Sequence, residues 1–128
     1  MTVLRELMNT RVAATTPDAS VAAAATVMVE ANVGAAIVME GSFLAGILTE
    51  RDVLRSAAYG ADLSVSLVSE WMTADPQSAS PDTSIEDAAE IMFRNGFRHL
   101  PVVDGRIVCG VVSLRDLFAS RIRRPLRS

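Results

Sequence analysis

The sequence contains no lysine, so all 12 of its cations are arginines. It has one cysteine, one histidine, one tryptophan and one tyrosine, and aromatics make up only 5% of it. A lone thiol, Cys109, leaves no internal disulfide, and one thiol with one imidazole is a poor metal set. Cys109 lies in a strand-like run, Arg106 to Val112, and reads as a small buried hydrophobe rather than a redox or catalytic group. No apolar stretch approaches the roughly 20 residues needed to cross a bilayer. The opening stretch, residues 1–10, lacks the basic start and long apolar run of a signal peptide. A cytoplasmic chain without membrane association is expected. There is no Walker-type glycine loop, no nucleophile with a base and an orienting group, and no paired carboxylates under a covering loop. Catalysis is therefore not expected.

What is present is enough apolar material for a core: 50% hydrophobic residues against 21% charged. At 128 residues the chain fits one compact domain or two small halves sharing a core. Net charge is −3, unevenly spread: residues 1–64 carry four arginines and seven acids, and residues 65–128 carry eight of each. The last eight residues hold four arginines and no acid. They read as a solvated helix end, where cations suit the dipole. Nucleic-acid binding is not expected, because the chain is acidic overall and interleaves no aromatics with its arginines.

The chain repeats itself. A shift of 64 residues aligns Met8–Leu54 with Met72–Phe118 without a gap, and 12 of the 47 positions are identical. Among them are Met8/Met72, Ala24/Ala88, Met28/Met92, Gly46/Gly110, Arg51/Arg115 and Asp52/Asp116. Each copy reads as β-α-β-β-α. Thr16-Pro17-Asp18 and Ser80-Pro81-Asp82 resemble helix starts. Val21, Ala24, Ala25 and Met28 then form an apolar stripe at helical spacing, matched by Ile85, Ala88, Ala89 and Met92. Asn32 and Gly96 are stop signals. Glu40-Gly41 and Asp104-Gly105 each separate two apolar runs, a hairpin signature. A last helix begins at Thr49 or Ser113. The expected division is residues 1–64, with a linker at residues 59–67, and residues 65–128. An α/β fold of two repeats packed with pseudo-two-fold symmetry follows, because roughly 60 residues cannot bury a sheet alone. The small-residue helix faces around Ala24, Met28, Ala88 and Met92 are the expected homodimer surface, since an apolar stripe left bare is an aggregation liability.

The most repeated polar feature is Gly-apolar-apolar-Thr/Ser-x-Arg-Asp: Gly46 to Asp52 and Gly110 to Asp116. A hydroxyl and a carboxylate three residues apart on a first helical turn point the same way. A carboxylate can accept from the two hydroxyls of a ribose, and the helix start offers free N–H groups to phosphate. A capping box without a ligand is the alternative.

A β-α-β-β-α repeat ending in this motif resembles the cystathionine-β-synthase (CBS) domain. Phe97-Arg98-His99-Leu100-Pro101-Val102-Val103-Asp104 is similar to that family's central strand, and two copies in register look like a Bateman module spanning residues 3–123. The resemblance implies adenosine-ligand binding in two clefts, with no cofactor required and an adenine nucleotide (AMP, ADP or ATP) as ligand. By position it implies Asp52 and Asp116 at the ribose hydroxyls, with Thr49 and Ser113 beside them. It implies Val12 and Val33, and Pro76 and Phe97, around adenine. For phosphate it implies Arg98 and His99, with Arg51 and Arg115 as second candidates. A surface ion pair is the competing role for Arg98, and a place half-buried beside the sheet for His99. Gly34 and Ala35 stand where the other repeat has Arg98 and His99, so unequal clefts are expected. The module would act as a sensor in trans on an unknown effector protein. The alternative is a structural dimerisation module with vestigial clefts.

Overall fold

The computed structural model describes residues 1–123. Most of the arginine-rich C-terminal run therefore lies outside the described residues. Of its arginines, Arg121 is paired with Glu86 at 3.2 Å. The fold is mixed α/β and consists of two compact units.

One unit is Val12–Pro76. Strand β1 (Ala14–Thr15) pairs in parallel with β2 (Ala35–Glu40), which pairs antiparallel with β3 (Phe43–Thr49). Helix α1 (Val21–Ala31) connects β1 to β2, and α2 (Glu50–Ala58) follows β3. A short α3 (Val68–Trp71) leads into β4 (Thr73–Ala74), which lies antiparallel on β3.

The helix starts differ from the sequence expectation, and the reason is local. Thr16-Pro17-Asp18 closes a turn, with the Thr16 hydroxyl donating to Asp18 at 2.8 Å. The cap is Ser20, which accepts from the Ala23 amide at 3.0 Å, and Ser84 does the same for Asp87 at 3.1 Å. A serine that can accept from the third helical amide outcompetes the proline signal three residues earlier. The stops are as expected: Asn32 and Gly96 both adopt left-handed backbone, with φ of 56° and 72°.

The other unit joins Met1–Arg11 to Gln77 and beyond. It contains α4 (Ile85–Asn95), β5 (His99–Asp104), β6 (Ile107–Ser113) and α5 (Leu114–Arg123). Its pairings repeat those of the first with the 64-residue offset, down to the irregularity between Val38/Met39 and between Val102/Val103. Ala79 bridges Val102 in parallel as Thr15 does Val38, and Asn9 bridges Val111 as Thr73 does Ile47.

The compact units are thus offset from the sequence repeats. Each repeat's leading turn belongs to the other repeat's fold. Leu4, in a 3₁₀ turn (Leu4–Glu6), is fully buried among Ile85, Ala88, Met92, Leu100, Val112 and Leu117. Its amide donates to the Thr83 carbonyl at 2.9 Å. Val68, 64 residues later, is fully buried beside Ala24, Val38 and Leu48, with its amide on Ala19 at 2.8 Å. The Met–Gly identities have the same origin. A Cβ on Gly46 would come within 2.7 Å of the Met72 sulfur and the Thr73 carbonyl. On Gly110 it would meet Met8 at 2.9 Å and the Asn9 carbonyl at 3.1 Å. Glycine is required there because an adjacent segment lies directly on the strand.

Ala24, Met28, Ala88 and Met92 are buried inside their own units. This corrects the expectation that they form an exposed dimer face: the small side chains let each helix approach its own sheet. The apolar residues that face outward from these helices and their neighbours include Val29 and Leu54 in one unit and Phe93 and Phe118 in the other, 66–89% exposed.

Candidate functional site

The two strand-to-helix junctions are built alike. Thr49 and Ser113 end β3 and β6 in extended conformation, so each hydroxyl can cap the helix that follows. The Thr49 hydroxyl accepts from the Asp52 amide at 3.3 Å, and Asp52 Oδ2 accepts from the Thr49 amide at 2.8 Å. At the other junction Ser113 accepts from the Asp116 amide at 3.0 Å, and Asp116 Oδ2 accepts from the Ser113 amide at 2.9 Å. These are capping boxes with aspartate in the third position. The cap uses one carboxylate oxygen and fixes the direction of the other.

The second oxygens differ. Asp52 Oδ1 accepts from Arg55 Nη1 at 2.9 Å. The residue equivalent to Arg55 is Ala119, and among the described residues Asp116 Oδ1 meets no donor. Sequence reading missed Arg55, which looks like an ordinary surface pair three residues from an acid. The signal available was the mismatch of Arg55 with Ala119 across the repeat.

Several sequence candidates lie on the elements that flank the Ser113–Asp116 junction. His99 opens β5 directly across from Ser113, and the Arg98 carbonyl accepts from the Leu114 amide at 2.8 Å. Arg98 is exposed and Phe97 is half-buried. Both line a groove of about 230 Å³ with Met92, Phe93, Gly96 and Leu114. Arg115 is exposed on the first turn of α5.

The equivalent arrangement around Asp52 has no cation on the strand side. Ala35 pairs with Thr49, and the Gly34 carbonyl accepts from the Glu50 amide at 2.9 Å. Val33 is half-buried just past the α1 stop, Val12 is half-buried just before β1, and Arg51 is exposed on α2. Pro76, matched with Phe97 in the sequence reading, ends the Val12–Pro76 unit, whereas Phe97 belongs to the other.

These paired junctions match known proteins. The family model described as CBS domain matches residues 4–59 and again 68–122. The chain belongs to the CBS domain family. CBS domain-containing protein YhcV of Bacillus subtilis is 38% identical over 123 residues, covering 95% of this chain and 87% of that protein. A CBS-domain protein from Burkholderia ambifaria superposes with a TM-score of 0.91 at 29% identity, covering 99% of this chain and 98% of that one. A CBS domain protein from Pyrobaculum aerophilum, solved in complex with AMP, superposes with a TM-score of 0.85 at 26% identity, covering 90% and 89%.

Other groups in the CBS pair are quieter. Cys109 is half-buried on β6, where its thiol donates to the Val102 carbonyl at 3.3 Å. Burial, and then the nearby Asp104 carboxylate, push its pKa up. This keeps it a thiol near neutral pH, the opposite of a reactive cysteine. Among the described residues no three His, Cys, Asp or Glu side chains gather to hold a metal, and no helix is long and apolar enough to cross a membrane.

Proposed function

We propose that this CBS pair is a regulatory sensor that binds an adenine nucleotide (AMP, ADP or ATP) and acts in trans on an effector protein in the cytoplasm, without catalysis of its own. The observation that carries the reading is Oδ1 of Asp116, which meets no donor among the described residues and is held in orientation by the cap on Oδ2. It lies in a unit that also contains the half-buried ring of Phe97, the exposed Arg98 guanidinium and the imidazole of His99. A carboxylate oxygen with open lone pairs suits a ribose hydroxyl, an aromatic ring suits adenine, and guanidinium suits phosphate. In this assignment Asp52 and Asp116 take ribose, with Thr49 and Ser113 beside them. Val12, Val33, Pro76 and Phe97 flank adenine, and Arg98, His99, Arg51 and Arg115 serve phosphate. The relative solved with AMP supports the ligand class. Titration calorimetry with AMP on the parent and on Asp116→Ala tests it. A tenfold or larger loss is expected from removal of one charge-assisted hydrogen-bond acceptor, and unchanged affinity refutes the ribose role.

A homodimer is the accompanying proposal, now through the outward residues. Val29 with Leu54, and Phe93 with Phe118, occupy matching places on neighbouring helices of the two units. Apolar groups this exposed on adjacent helices favour a second copy of the chain. Phe93→Glu with Phe118→Glu should convert a dimer to a monomer in sedimentation at tens of micromolar (roughly the range of such interfaces). A parent that sediments as a monomer there refutes the dimer.

A further inference from the structure

We propose that Arg55 is a built-in competitor for the first ribose site, so that a nucleotide must displace it from Asp52 while the Asp116 site binds unopposed. The inference rests on the ribose reading of the two aspartates and goes beyond it by naming what makes the sites unequal. Three observations converge on Arg55. Its Nη1 donates to Asp52 Oδ1 at 2.9 Å, the oxygen the cap leaves over. Its guanidinium carbon lies 5.7 Å from the centre of the Trp71 ring. Trp71 in turn stacks on Tyr59, with centroids 6.1 Å apart at 29°.

The carboxylate is only 10% exposed, whereas Arg55 is 51% exposed and free to swing away. The aspartate is therefore the fixed partner and the arginine the movable one. The second repeat has none of these parts. Ala119 replaces Arg55, Leu7 replaces Trp71, and Arg123 replaces Tyr59. Ribose hydroxyls and the Arg55 N–H group seek the same acceptor, so their binding is mutually exclusive at Oδ1. Displacement costs the ion pair and the cation–π contact together. Each is modest at a half-exposed site, which sets the penalty at roughly three- to tenfold in affinity.

The chain carries one tryptophan, and it is Trp71. Its emission therefore reports the Arg55 side of the molecule without labelling. The test is AMP titration of the parent, Arg55→Ala and Ala119→Arg by calorimetry and Trp71 emission, with melting curves to show that each variant is folded. The parent should show two unequal sites. Arg55→Ala should strengthen the weaker one about three- to tenfold, and Ala119→Arg should weaken the stronger one by a similar factor. Saturating AMP should move the parent's emission toward that of ligand-free Arg55→Ala and leave that variant's emission unchanged. Binding by the parent that Arg55→Ala leaves unchanged or weakens overturns the competitor role alone. So does an AMP-induced emission change of equal size in both proteins. If neither parent nor Arg55→Ala binds AMP, ADP or ATP, the ribose reading fails and the competitor role falls with it.

Discussion

At the end of β3, Asp52 is held by its own cap on one oxygen and by Arg55 on the other; at the end of β6, Asp116 has the same cap and a second oxygen that meets no donor among the described residues. On the strand side the difference runs the same way, with Gly34 and Ala35 facing one junction and Arg98 and His99 the other. The duplicated scaffold has kept the capped aspartates and diverged in the groups around them. The cap, the buried stripe and the Met–Gly contact recur because each repeat would lose its core without them. Of the basic candidates, Arg51 and Arg115 recur, whereas Arg98 and His99 face Gly34 and Ala35 in the other repeat.

The comparison is broken most forcefully at the exchanged turns. Leu4→Ala empties a fully buried position and should cost about 3 kcal/mol, measured by urea denaturation. Val68→Ala, its counterpart, removes less side chain and should cost about 2 kcal/mol. A loss near zero for Leu4→Ala would mean that the N-terminal turn is not part of the second repeat's fold.

The two buried glycines come next. Gly46→Ala forces a methyl against a backbone carbonyl at 2.7 Å, and about 2–3 kcal/mol should be lost. Gly110→Ala has 3.1 Å to the equivalent carbonyl and a flexible methionine otherwise, so about 1–2 kcal/mol is expected. Thermal melts that rank them the other way would contradict the packing described here.

A smaller effect concerns ligand preference. Arg98→Gly with His99→Ala should reduce the preference for AMP over adenosine by roughly tenfold and leave adenosine binding nearly unchanged. Competition calorimetry that finds the preference intact would remove both residues from the phosphate role.

The smallest effect is at Cys109, whose counterpart is Ala45. A raised thiol pKa means that alkylation at neutral pH should be slower than for a free cysteine, with the rate rising only at pH above the ordinary thiol range. The sign is fixed by burial, which disfavours the thiolate. Fast modification at pH 7 would overturn it.

Much of this was legible in the residues, and what was not has physical causes. The 64-residue period, the helix stripes, the hairpins and the junction motif follow from local rules, and local rules act within a few residues of chain. The helix starts were misread by four residues because Pro17 and Pro81 are strong turn formers as well as helix openers, and Ser20 and Ser84 hold the actual caps. The exchange of leading turns is a long-range choice: Leu4 and Val68 are apolar in either assignment, and nothing nearby says which core they fill. The small-residue stripe was read as a surface because apolar periodicity identifies a buried face without saying what buries it. Arg55 escaped because its partner lies three residues away, a spacing common on any exposed helix.

The central claim is that one pair of aspartates, 64 residues apart, holds an adenine nucleotide, and the most direct measurement is AMP calorimetry on the parent and on Asp52→Ala with Asp116→Ala. Circular dichroism would show that the double variant keeps its helices. The account predicts that the parent binds and that the folded double variant loses at least tenfold in affinity, with loss of about 1.5–3 kcal/mol for each charge-assisted bond removed. A folded double variant that binds AMP as the parent does would contradict it.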